Sequence, residues 1–202
     1  MAYQGNPLAH WITLPVTQTQ VLNSVAADGT GLRVTLEWHE DRYHHRIERV
    51  TGNLVTPLAE APQATMAADE HEQPVLQQLA VESRGVDRYV ALGVGMSGQS
   101  HWSMSIETVP ETRTIIFDIA CRLTEPVANL CSCYQLAAPV TEVVPIHCEL
   151  NVLGHPCRIE VDTTAQSEIV QLKCEANLLQ LIPQISPADM PQTVRWRYRV
   201  VG

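Results

Sequence analysis

Between His101 and Val109 the side chains alternate: Trp102, Met104 and Ile106 fall on one side, and His101, Ser103, Ser105 and Glu107 on the other. From Thr114 to Leu123 the pattern returns, with Ile115, Phe117, Ile119, Cys121 and Leu123 opposite Thr114, Asp118 and Arg122. A period of two is that of a half-buried strand. The short link through Val109-Pro110-Glu111 suits a hairpin and not a crossover helix. The same construction precedes this pair. Leu32, Val34, Leu36 and Trp38 alternate with Arg33, Thr35, Glu37 and His39. A charged turn at Glu40-Asp41-Arg42 leads into Tyr43, His45 and Ile47, set against His44, Arg46 and Glu48. Arg88 to Met96 carries Val90, Leu92, Val94 and Met96 on one side and small residues, including Gly93 and Gly95, on the other. Those small residues predict a close approach by another backbone, or a bend.

The pattern repeats downstream. Ile146, Cys148, Leu150 and Val152 alternate with His147, Glu149 and Asn151; after a Gly154-His155-Pro156 turn, Cys157, Ile159 and Val161 alternate with Arg158, Glu160 and Asp162. Val170, Leu172 and Cys174 form a further segment, and the last one sets Val194, Trp196, Tyr198 and Val200 against Arg195, Arg197 and Arg199. About nine such segments predict an all-β protein, an antiparallel β-sandwich or partly open barrel with one face of each strand wetted. Helix is expected only at the periphery: a short one over Thr17 to Val25, with Val21, Leu22 and Val25 on one side, and another from Pro74 through Val75, Leu76, Leu79 and Val81. The stretch Thr124 to Pro145 fits either a short helix after Glu125-Pro126 or an irregular strand through Leu130 to Leu136. Residues 58–73, rich in Ala, Pro and acid, read as an exposed connection. Pro183, Pro187 and Pro191 mark a rigid loop. No linker separates two self-sufficient halves, so residues 1–202 read as one domain. The tetrapeptides His45-Arg46-Ile47-Glu48 and Cys157-Arg158-Ile159-Glu160 echo one another, each on the return strand of a hairpin.

Composition narrows the function classes. The net charge of −9 argues against non-specific binding to nucleic acid or anionic lipid. No apolar run reaches the length that spans a bilayer. The first twenty or so residues lack a basic start and a continuous apolar segment and so do not read as a secretory signal. The expected location is the cytoplasm, where six cysteines would stay reduced. Lys173 is the sole lysine among 13 basic residues. That bias reflects either base composition or recognition of carboxylate or phosphate by the planar guanidinium fork.

Several constellations bear on chemistry. Gly93, Gly95 and Gly98 satisfy the spacing of a dinucleotide loop, but a period-two strand follows where a helix is needed to supply amide donors, which excludes it. Ser97 near His101 lacks both the nucleophile elbow and an oriented base. Cys121, Cys148, Cys157 and Cys174 fall on apolar faces and read as core residues. Cys131 and Cys133 form a C-x-C without two further zinc ligands at a diagnostic spacing. The stripe Arg195, Arg197, Arg199 predicts cross-strand ion pairs with acids such as Glu149, Glu160 and Asp162, or an anion site.

The leading expectation is a non-catalytic binding or assembly module without a cofactor. Its ligand or protein partner would lie on the polar faces carrying His101, Glu107, Arg195, Arg197 and Arg199. The alternative is a metal-dependent hydrolase acting on phosphate-containing substrates. It would hold a divalent metal through His39, His101, His147 and Glu37, with Glu107 as a further ligand or base and the arginines as a phosphate clamp. Homo-oligomerisation through Trp38, Trp102 or Trp196 is a third expectation.

Overall fold

A computed structural model describes residues 19–62, 73–163, 170–185 and 190–202. Within them run β1 (Gln20–Val25), β2 (Thr30–His39), β3 (Arg42–Thr51), β4 (Leu54–Glu60), β5 (Gln78–Gly85), β6 (Arg88–Ser97), β7 (Ser100–Val109) and β8 (Thr114–Leu123). After these come β9 (Ser132–Leu136), β10 (Val140–Val144), β11 (His147–Val152), β12 (His155–Val161), β13 (Val170–Glu175), β14 (Leu178–Pro183) and β15 (Gln192–Val201). They build two sheets. The seven-stranded sheet has the order β1-β2-β3-β4-β9-β14-β13, and the eight-stranded sheet the order β10-β11-β12-β15-β8-β7-β6-β5. Every recorded pairing is antiparallel. The fold is an all-β sandwich. Among the described residues both sheets are open, with free edges, so the barrel is not the form adopted.

The alternation that predicts each strand also builds the core. Leu32, Val34 and Leu36 of β2 face Ile115, Phe117 and Ile119 of β8, and all six are fully buried. Trp196 and Tyr198 of β15 lie at the centre; Trp196 meets Trp102 edge-on at 6.0 Å between centroids, and Tyr198 stacks on Phe117 at 4.9 Å. Aromatic pairs in these geometries add about 0.5–1.5 kcal/mol each beyond the area they bury. The small residues of β6 have the predicted cause. Val75 and Leu76 run against its inner face, and a Cβ on Gly95 would collide with the Val75 carbonyl, while one on Gly93 would meet Leu76.

Six of these strands, β1, β4, β5, β9, β10 and β14, lie outside the segments with clean alternation. Two helix expectations are overturned. Residues 20–25 are strand β1, whose inward positions are Leu22 and Ser24; the Ser24 hydroxyl donates to the Thr114 carbonyl at 2.7 Å. A buried serine and an exposed Val21 hide the period of two and leave Val21, Leu22 and Val25 at helix-like spacing. Thr17 and Gln18 lie outside the described residues. Likewise Val75 and Leu76 belong to an extended stretch, in which Tyr43 N–H donates to the Leu76 carbonyl at 2.7 Å and Gln77 N–H to the Val94 carbonyl at 2.8 Å. Strand β5 follows, exposed on both faces and therefore without a hydrophobic period. Among the described residues the helical content is one 3-10 turn, Pro110–Thr112.

Other details sharpen. Residues 132–136 take the strand option within Thr124–Pro145. The supposed connection begins inside β4, where Leu58 and Ala59 are buried; residues 63–72 of it, and Pro187, lie outside the described residues. Pro183 closes β14. Trp102 and Trp196 are core residues, which removes both as interface anchors. Trp38 is half-buried, packs edge-on against Tyr43 and donates to the Glu40 carbonyl at 3.1 Å.

Candidate functional site

The polar positions of β6, β7, β8, β15, β12 and β11 all emerge on one surface, the outer face of the eight-stranded sheet. The register fixes their rows. Met96 pairs with His101, His101 with Arg122 and Arg122 with Thr193. One row along, Val94, Ser103, Ala120 and Arg195 stand side by side; the next holds Leu92, Ser105, Asp118 and Arg197. Beyond it lie Val90, Glu107, Ile116, Arg199, Glu160 and His147. Directly opposed residues in antiparallel strands share a face. The five residues expected to bind a ligand, His101, Glu107, Arg195, Arg197 and Arg199, therefore occupy one surface.

Across this surface the chemistry is graded. On β6 sit exposed Leu92, Val94 and Met96. On β7 come the hydroxyls of Ser103 and Ser105. Beyond Asp118 and Ala120 on β8, the arginines of β15 begin. A trough of about 450 Å³ follows the gradient, lined by Leu92, Val94, Ser103, Ser105, Ala120 and Arg195, with Asp118 and Thr193 alongside. Small side chains on β7 and β8 form its floor. Its arginine end is an ion pair: Arg195 donates from Nε and Nη2 to the two Asp118 carboxylate oxygens at 2.8 and 2.6 Å. This two-pronged hydrogen bonding to Asp118 raises the Arg195 pKa and keeps the guanidinium charged.

Farther along, the arginine stripe is paired as the cross-strand reading predicts. Arg197 Nε lies 3.3 Å from Asp162, outside hydrogen-bonding geometry, and Arg199 Nε donates to Glu160 at 2.7 Å. Arg158 reaches both Glu160, at 3.1 Å, and Glu149, at 3.3 Å. Burial works to raise the Glu160 carboxyl, but Arg199 and Arg158 together hold it below the usual range. The stripe is a neutralised ladder and not an array of free cations awaiting an anion.

The metal set does not assemble. His39 projects from the outer face of the seven-stranded sheet, away from the other two histidines. His101 on β7 and His147 on β11 share a face but stand four strand spacings apart, roughly 19 Å at about 4.8 Å per step. Metal ligands must converge within about 2.0–2.2 Å of one ion. Glu37 is engaged elsewhere, accepting two hydrogen bonds from Arg46 at 3.0 and 3.2 Å. His147 instead contacts Glu142 at 3.2 Å. Among the described residues no group of three His, Cys, Asp or Glu side chains is placed to hold a metal. Cys133 of β9 and Cys131, the residue just before that strand begins, form a buried pair with sulfurs 2.9 Å apart. Cys121, Cys148 and Cys157 are buried core residues, as their apolar faces predict, and Cys174 packs against the core.

Sequence patterning misses the buried polar chemistry between the sheets. His45 of β3 points inward and hydrogen-bonds Tyr134 of β9 at 2.7 Å; Tyr134 hydrogen-bonds Tyr198 of β15, and Trp196 Nε1 donates to Ser132 at 3.0 Å. Burial lowers the His45 pKa to about 4, so the ring is neutral, and burial raises both tyrosines, which remain phenols. Nearby, Arg49 is also inward-facing and buried. It donates to the Cys157 sulfur at 3.1 Å, and its Nε has no hydrogen-bond partner among the described residues. The only early sign of either feature is parity: positions 43, 45, 47 and 49 alternate onto one side, and two of them are basic.

No known protein-family model matches the chain, and no curated protein matches it by sequence.

Proposed function

We propose that the protein is a non-catalytic binding or assembly module and that its ligand lies on the outer face of the eight-stranded sheet. The observation that supports this most is the trough over β6, β7, β8 and β15. Its apolar wall of Leu92 and Val94 offers contact to a hydrocarbon or aromatic group. The Ser103 and Ser105 hydroxyls and the Arg195–Asp118 pair offer directional polar contacts at the other side. Concave sites that combine an apolar lining with a few placed polar groups are typical of small-ligand recognition. The trough contains no oriented nucleophile–base pair, so binding, not turnover, is the activity proposed. The metal-hydrolase alternative is not carried forward, because His39 and Glu37 lie on the other sheet from His101 and His147, which themselves stand four strands apart. We place the protein in the cytoplasm, a location supported by six free thiols, five of which are buried.

The test is a fragment screen by NMR on the isotope-labelled protein, repeated on Ala120→Trp, whose indole would fill the trough. Amide shifts clustered at Ser103, Ser105 and Ala120 in the wild type, and lost in the variant, are the expected result. Hits that ignore the substitution, or turnover of any phosphoester by the pure protein, would overturn the proposal.

A further inference from the structure

Among the described residues the eight-stranded sheet ends in a free edge at β5, which stands apart from the other three sheet edges. It is the longest, with 8 residues against 6 in β1, 6 in β13 and 5 in β10. Apart from half-buried Leu79, every residue of it is exposed. It carries no proline and no lysine, two of the devices that discourage edge pairing; its charges, Glu82 and Arg84, and a register shift lie toward its end. Large exposed apolar residues concentrate in its hairpin: Val81, Val86, Tyr89, Leu92, Val94 and Met96. The charges on the strand follow a self-complementary pattern. Glu82 and Arg84 flank Ser83 symmetrically and lie on the same side, 2.9 Å apart, with side chains 50% and 57% exposed. The β5–β6 ladder skips Arg84, which therefore has no register partner on β6.

We propose that β5 pairs antiparallel with β5 of a second copy of this chain, about a two-fold axis normal to the sheet that passes midway between the two Ser83 residues. An antiparallel copy centred there sets Glu82 opposite the partner's Arg84 and Arg84 opposite the partner's Glu82. Opposite charges directly across a strand pair are favourable, and like charges are not. The same register lays Val81 across from the partner's Gly85, where a side chain would meet open space. A two-fold contact of this kind is self-complementary and closes at a dimer. The backbone groups left bare at the edge would find partners, and the two sheets would join into one continuous surface carrying both troughs. The proposal stands independently of what the troughs bind.

The interface is small, so a reversible dimer is expected, with dissociation in the micromolar range or weaker. Sedimentation equilibrium on the full chain tests it with a charge-swap series. Glu82→Arg alone and Arg84→Glu alone each place like charges across the axis and should weaken the dimer roughly ten-fold. The double variant Glu82→Arg/Arg84→Glu restores opposite charges and should recover wild-type association. Val81→Pro, which disturbs the pairing edge itself, should give monomer, with far-UV circular dichroism confirming that each variant is folded. Wild-type protein that stays monomeric up to about 0.5 mM overturns the proposal. So does a dimer indifferent to all four variants, which would use another surface, or single-swap losses that the double variant fails to rescue, which would assign the charges to a different partner.

Discussion

Two polar networks in this protein use similar groups in opposite settings. One runs through the interior from His45 to Tyr134 and Tyr198, with Trp196 on Ser132 beside it, and ties β3 and β9 of one sheet to β15 of the other. The other runs over the outer surface through Arg195–Asp118, Arg197–Asp162 and the Arg199–Glu160–Arg158–Glu149 cluster. Strand β15 supplies residues to both, Trp196 and Tyr198 inward and the arginines outward. Inside, a hydrogen bond that fails leaves a group with no water to replace its partner, at about 1–3 kcal/mol. Outside, water and salt stand ready, and an exposed pair is worth about 0–1 kcal/mol. The interior network therefore fixes how the sheets meet. The exterior one sets the charge pattern shown to a ligand while contributing little to folding.

The sharpest break in that comparison is Trp196→Ala. It empties the most deeply buried indole, removes its contact with Trp102 and leaves Ser132 without its donor. A loss of about 3–5 kcal/mol is expected in urea unfolding. A loss under about 1 kcal/mol would mean that the interior network does not hold the sheets.

Next comes pH. His45 titrates near 6.5 when unfolded and near 4 when folded, because burial disfavours its charged form. Between those values the unfolded chain binds a proton that the folded chain refuses. The stability tied to neutral His45 is full above about pH 6.5, falls as pH drops through the window and levels off below about 4. The total is on the order of 3 kcal/mol. His44 is also lowered, chiefly by burial, and acts in the same direction, so the measurement is a difference. Urea titrations from pH 7 to 4 should show a shallower decline in His45→Gln than in the wild type, whereas equal slopes would refute the assignment.

The smallest effect belongs to the surface. Arg195→Ala removes the exposed pair with Asp118 and should change stability by less than about 1 kcal/mol, with most of that difference vanishing in high salt. A larger loss would place Arg195 among the residues that hold the fold.

Strands with one wet and one dry face could be read directly from the chain, since alternation is a local property: β2, β3, β7, β8, β11, β12 and β15 all announce themselves. Elements whose environment departs from that arrangement could not. β5 is wet on both faces, and β1 carries a buried serine. The charge pairing of the arginine stripe was also legible, because acids at matching parity stand on the neighbouring strands β8 and β12. The echo between His45–Glu48 and Cys157–Glu160 has a physical counterpart. Arg46 bridges Glu37 and Glu48 as Arg158 bridges Glu149 and Glu160, and Ile47 and Ile159 enter the core. The trough is half visible. Its arginine and its serines lie on predicted polar positions, but that Leu92 and Val94 are exposed is not legible, since periodicity gives the two faces of a strand and not which of them is covered.

By itself, then, the chain determined that this protein is antiparallel sheet, which residues share a face, and that Trp196 and Tyr198 oppose the arginines across β15. These follow from local backbone geometry, in which side-chain direction reverses at every residue. Only the tertiary structure decided that there are two open sheets, that the metal-ligand candidates lie far apart, that His45 meets Tyr134 and Tyr198 between the layers, and that β5 ends a sheet without a further strand among the described residues. Each of these depends on strand order and on which face meets the other sheet. Those are long-range choices made by the summed burial of the whole core, and no short stretch of sequence contains them.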